Sequence, residues 1–125
     1  MKKIDPIGIN NVNFSFELSK DDDRRELFKK QRLERGFDDT ELWNLDITIA
    51  RFIYPRLKAY VDLHKEMYSN LDSFNKESEK ELDKMVKAFK TYLDGDSKAF
   101  LTKKEEKTVS KGFRLFIKHF RHLWT

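Results

Sequence analysis

Cysteine is absent from the 125 residues, which excludes disulfides, thiolate nucleophiles and Cys-ligated zinc. Glycine is scarce: four residues leave little material for a Gly-rich phosphate loop or a nucleophile elbow, and neither pattern occurs. Long apolar runs are missing as well, with no span near the roughly 18 uninterrupted apolar residues of a membrane helix. The opening Met1-Lys2-Lys3-Ile4-Asp5-Pro6 puts an acid and a proline where a secretory signal needs its apolar segment. These absences lead us to expect a soluble cytoplasmic protein without enzymatic activity, cofactor, metal or membrane partner.

What the chain has instead is charge and aromatic bulk. Charged residues make up 38% and hydrophobic residues 38%, the latter including 11 Phe, 4 Tyr and 2 Trp, so each buried position removes much apolar area. The length suits one domain, 1–125. We find no internal repeat and no low-complexity tract.

The predicted fold is mainly α, a small three- to four-helix bundle with a kinked central helix and an N-terminal β-strand or hairpin. Residues 12–18 alternate apolar and polar, putting Val12, Phe14, Phe16 and Leu18 on one face of a strand. Ile7 to Ile9 could pair with it through Asn10-Asn11, making 1–20 a strand or hairpin arm. A surface helix is expected over 21–35, with Asp21, Asp22 and Asp23 at its positive end, Leu27, Phe28 and Leu33 as its thin apolar content, and Gly36 as its stop. The central helix, 40–68, starts at a capping box of Asp38 or Asp39 with Glu41. Its stripe is Leu42, Ile49, Ala50, Ile53, Leu57, Tyr60 and Val61, widened by Leu45, Phe52, Ala59 and Leu63, and Pro55 predicts a bend. Helix 76–94 carries Leu82, Met85, Val86, Phe89 and Leu93, with Gly95 beyond it. Thr102 with Glu105 opens a last helix, 103–124, whose stripe is Val109, Phe113, Phe116, Ile117, Phe120, Leu123 and Trp124.

Three segments carry a resemblance: Gly36-Phe37-Asp38-Asp39-Thr40-Glu41-Leu42-Trp43-Asn44-Leu45-Asp46 running on to Phe52-Ile53-Tyr54-Pro55-Arg56-Leu57-Lys58, then 82–89, then 112–124. Together they resemble a small protein family encoded by tailed bacteriophages. The resemblance covers roughly three quarters of the chain and implies a viral origin and a host-cytoplasmic setting, with no reaction attached.

The charge is unevenly placed. Residues 103–125 hold seven Lys or Arg against two acids, so this segment is about +5 and the remainder about −1, against a total of +4. Lys104, Lys107, Lys111, Arg114, Lys118 and Arg121 step by three or four, one row up the helix. Such a row presents cations to a single anionic surface, whether phosphates, a nucleotide or an acidic protein; its plainer reading is a solvated face that keeps a Phe-rich helix soluble. Nucleic acid would further require surface aromatics or a groove-reading element, and the rings of this helix fall at core spacing.

Trp43, Asp46, Arg51 and Arg56 form the second candidate set. Asp46 falls on the apolar stripe, where a carboxylate must be paired, and Arg51, Arg56 and Arg114 are its natural partners. This is either a buried salt bridge that fixes packing or the polar corner of a ligand pocket with Trp43 as stacking wall. Arg51, Arg56 and Lys58 also straddle Pro55, where an anion site is conceivable beside the packing role of a kink. His119 and His122, with His64 as a distant third, lack the carboxylate of a recognised metal motif.

For function these readings favour a phage-encoded binding protein of counter-defence or host takeover, sequestering or inhibiting a host protein or an anionic nucleotide. A nucleic-acid-binding accessory protein is the alternative, and a virion structural component the second. A homo-oligomer is expected, through strand pairing or the Phe and Trp surface of the last helix.

Overall fold

The computed structural model describes residues 14–16, 18–68, 76–98 and 100–124. Among the described residues there are five α-helices, α1 (Arg25–Arg35), α2 (Thr40–Trp43), α3 (Leu45–Tyr68), α4 (Lys76–Gly95) and α5 (Lys103–His119), with 3₁₀ turns at Asp96–Lys98 and Phe120–His122. The mainly helical expectation holds. No described helix is long and apolar enough to cross a membrane. The chain divides into two compact units, Met1–Phe52 and Ile53–Thr125, and the division falls inside α3 rather than at a linker.

In the first unit, α1 ends where predicted. Gly36 takes φ 86°, a left-handed conformation that suits a residue without Cβ, and its N–H donates to the carbonyl of Arg32. Phe28 is the buried side chain of α1, while Leu27 and Leu33 are exposed.

The expected strand is not formed among the described residues, and Val12 and the proposed hairpin partner 7–9 lie outside them. The reason is visible in the hydrogen bonds. The N–H of Phe16 donates to Thr40 Oγ1 at 2.9 Å and that of Phe14 to Glu41 Oε1 at 3.4 Å, so side chains occupy the donors that a sheet ladder would use. Alternation misplaces Ser15 in particular: it is fully buried, and its hydroxyl donates to Asp38 Oδ2 at 2.7 Å.

The predicted helix 40–68 is two helices. Asn44 leaves the helical region at φ −129°, ψ 68°, and its carbonyl accepts the N–H groups of Ile47 and Thr48 to begin α3. Thr48 Oγ1 donates back to the carbonyl of Glu41 at 2.8 Å and clips the two together. α3 then continues through Pro55 to Tyr68.

The second unit rests on α4 against α5, antiparallel. Leu82, Met85, Ala88 and Phe89 are buried on α4, with Val109 and Gly112 on α5, and Phe89 meets the rings of Phe113 and Phe116 at 4.8 and 5.1 Å. α5 opens with the expected capping box: Glu105 N–H donates to Thr102 Oγ1 at 3.2 Å, and Thr102 N–H to Glu105 Oε1 at 2.9 Å. Leu57 and Val61 of α3 are buried, and Lys65 pairs with Asp83 of α4 at 2.6 Å. One expectation fails here. Ile117, Phe120 and Trp124, expected on the core-facing stripe, are 63–73% exposed.

Candidate functional site

The basic row stands on the outer side of α5. Its geometry follows from Gly112, which faces inward so closely that an added Cβ would stand 2.2 Å from the Cβ of Ala88 and 2.5 Å from the carbonyl oxygen of Lys84. With that contact fixing the inner face, the three- and four-residue steps carry Lys104, Lys107, Lys111, Arg114 and Lys118 along one outward side, and Arg121 continues the row in the terminal 3₁₀ turn. All six are exposed.

Of these six, Lys118 is held internally: it donates to Glu81 of α4 at 3.0 and 3.2 Å. His119 Nε2 lies 2.9 Å from the same carboxylate. These two contacts, His119 first, hold the Glu81 carboxyl below its usual range. Among the described residues, Lys104, Lys107, Lys111, Arg114 and Arg121 enter no ion pair with an acid. The row runs about 25 Å at 1.5 Å per residue, far longer than a nucleotide and open along its whole length. Exposed Ile117, Phe120 and Trp124 border it at its C-terminal end. Exposed rings beside cations were not legible in a periodicity that assigned them to the core.

The second candidate set does not form a buried corner. Asp46 is exposed, since α3 begins at Leu45 and its first-turn carboxylate sits where the helix N–H groups and dipole favour an anion. Its expected burial is thus corrected. Trp43 is about half exposed; one face stacks on Phe16 at 5.8 Å, the ring of Phe28 meets it edge-on at 6.1 Å, and the Arg24 guanidinium lies 5.6 Å from its centre. The Arg51 guanidinium is 6.0 Å from the ring of Phe14. Arg56 is exposed and belongs to the other unit. Lys58 pairs with Asp62 at 3.1 Å.

A denser polar cluster lies beneath α2. Asp38 is fully buried, accepts from Ser15 Oγ and from both the N–H and hydroxyl of Thr40, and pairs with Arg32. Burial raises its carboxyl, but the hydrogen bonds from Thr40, Ser15 and Arg32 outweigh it and leave it below the usual range. Glu41 Oε2 accepts the N–H of Asp38 at 3.0 Å, one half of the predicted box; the Asp38 carboxylate accepts from the N–H of Thr40 instead of that of Glu41. Asp39 faces outward to Arg35 and Gln31. The polar groups here are turned on one another, so the cluster tethers 14–16 to the helices.

His64 is flanked by the rings of Tyr60 and Tyr68, at 6.1 and 4.7 Å. No group of three His, Cys, Asp or Glu side chains stands ready for a metal among the described residues.

No known protein family, curated protein or solved structure matches the chain.

Proposed function

We propose that this is a non-enzymatic binding protein that engages an anionic macromolecule through the outer face of α5. The observation that carries the reading is the row itself: six exposed cations along one side of α5 and the turn that follows it, of which, among the described residues, Lys118 is the one drawn into an ion pair with an acid. Its length and openness favour an acidic protein surface over a free nucleotide, and Trp124 with Arg121 adds the side-chain types that dominate protein contacts. On the resemblance to tailed-phage proteins, the partner is a host protein in the host cytoplasm, sequestered or inhibited during infection.

The test is recovery of the tagged chain from bacterial cells, beside a Lys107→Glu/Lys111→Glu/Arg114→Glu variant. A protein retained by the parent chain and lost from the variant supports the reading; identical sets of recovered proteins contradict it.

Nucleic acid is favoured by one separate observation, the exposure of Phe120 and Trp124 beside the row, which supplies the stacking platforms that single strands use. Binding to a labelled single-stranded oligonucleotide that weakens steeply with salt, and on Trp124→Ala, would select this second reading.

A further inference from the structure

Three apolar side chains stay open at the C-terminal end of α5, within the second unit. Ile117, Phe120 and Trp124 are 73, 63 and 72% exposed. Together they leave roughly 450 Å² uncovered, comparable with the largest apolar patch of a typical monomer. The two rings are held in place. Phe120 meets Phe116 edge-on at 5.7 Å, and Phe116 in turn meets buried Phe89, so Phe120 extends the aromatic core between α4 and α5 outward. Beyond the 3₁₀ turn, the Trp124 N–H donates to the carbonyl of His122 at 2.9 Å, and the Tyr60 hydroxyl of α3 donates to the carbonyl of Trp124 at 3.2 Å. The backbone under the indole is pinned while its side chain stands in solvent. Anchors fixed in advance lose little freedom when they are covered, and aromatic anchors of this kind dominate protein contacts.

Charge selects the occupant. Arg114 lies three residues before Ile117 and Arg121 four after it, so both flank it on the side of the basic row. Neither enters an ion pair with an acid among the described residues. A second copy seated here would bring two sets of these cations together, and two such patches would bury about 900 Å², short of the roughly 1,000 Å² of a specific interface. A flat anionic bilayer would meet carboxylates at the same end: Glu81 of α4, which contacts Lys118 and His119, and Glu77 and Glu79 in the turn before it. A narrow chain segment can lie along the arginine side and avoid them.

We infer that this end of α5 anchors the contact surface, and that the segment it takes from its partner is acidic and amphipathic. Apolar side chains of that segment cover Ile117, Phe120 and Trp124, and its carboxylates meet Arg114 and Arg121 in charge-assisted hydrogen bonds. This rests on the reading of α5 as the surface that engages an acidic protein, and adds an apolar requirement that the basic row alone does not impose.

The probe is a fluorescein-labelled synthetic peptide with Leu at every third or fourth position among Glu and Asp, compared with the same peptide carrying Ser in place of each Leu. Fluorescence anisotropy with the full chain should show binding of the first and at least about tenfold weaker binding of the second. Phe120→Ala and Trp124→Ala should each weaken the Leu peptide about tenfold or more with the helical circular dichroism retained. Leu33→Ala, exposed but on α1, should leave it unchanged. The two readings fail differently. Phe120→Ala and Trp124→Ala binding like the parent, with Lys107→Glu/Lys111→Glu/Arg114→Glu losing the peptide, would overturn the apolar anchor and spare the basic row; a peptide indifferent to the charge reversal would overturn both. Absence of peptide binding at high micromolar protein would also overturn the inference, as would retention on vesicles of phosphatidylcholine and phosphatidylglycerol in its place, or a dimer of the chain that Trp124→Ala dissociates.

Discussion

Gly112 and Ala88 stand where their helices come closest: a Cβ on the glycine would lie 2.2 Å from the Cβ of the alanine. The smallness of both residues is what lets α4 and α5 seat the Phe89, Phe113 and Phe116 rings around one crossing.

In an open helix interior, Gly→Ala gains up to about 1 kcal/mol from propensity. Here the sign should reverse. Gly112→Ala is expected to destabilise the protein by roughly 1–3 kcal/mol through overpacking, read as a lower urea midpoint at constant m. Ala88→Gly should rescue it only in part, because the carbonyl of Lys84 lies 2.5 Å from the same position.

Asp38 gives a second test. Its replacement by Ala leaves Ser15, Thr40 and the Arg32 guanidinium without their buried acceptor. The expected cost is roughly 2–4 kcal/mol, lowered somewhat because Arg32 can turn to water. Asp39→Ala, whose carboxylate is at the surface, should cost far less. Equal midpoints for the two would contradict the tethering role given to Asp38.

The depressed carboxyls set the pH dependence. Asp38 and Glu81 lie below their ordinary range, and Glu105 falls to about 2 through Lys98 and the Thr102 N–H. A lowered folded pKa means that the folded state binds fewer protons than the unfolded one, so its contribution is complete above the ordinary carboxylate pKa of about 4 and is lost as pH falls toward the folded value. Melting temperature should therefore be steady from neutral pH to about 5 and drop between about 4 and 2. In Glu105→Gln the drop should be shallower and the neutral-pH melting temperature lower.

Charge reversal on α5 should separate folding from binding. Lys107→Glu with Lys111→Glu alters exposed side chains without an ion-pair partner among the described residues, so stability should stay within about 0.5 kcal/mol. Lys118→Glu differs, since it sets two carboxylates together at Glu81 and should lower the melting temperature. Circular dichroism melts of the two variants make the comparison.

How much of this was legible in the sequence depended on how local each cause is. Thr102 and Glu105 are three residues apart, and Gly36 needs only its own backbone freedom, so both signals were sufficient. Ser15 was misread because alternation assigns it outward, whereas its burial is set by Asp38 and Glu41, 23 and 26 residues away. The break at Asn44 hides inside an apolar periodicity that continues across it. Ile117, Phe120 and Trp124 have core spacing, but spacing states a face and not whether a neighbour offers anything to cover it. The α5 cations are exposed for the complementary reason: an outward row requires no partner. Asp46 shows the same limit from the other side, since its expected burial depended on where α3 begins.

The central claim is that the outer side of α5 is a contact surface, and acetylation footprinting of the captured complex addresses it directly. Lys104, Lys107 and Lys111 should be protected in the complex relative to the free chain, while Lys29 and Lys30 of α1 should label equally in both. Uniform labelling of all five lysines with partner bound would contradict the account.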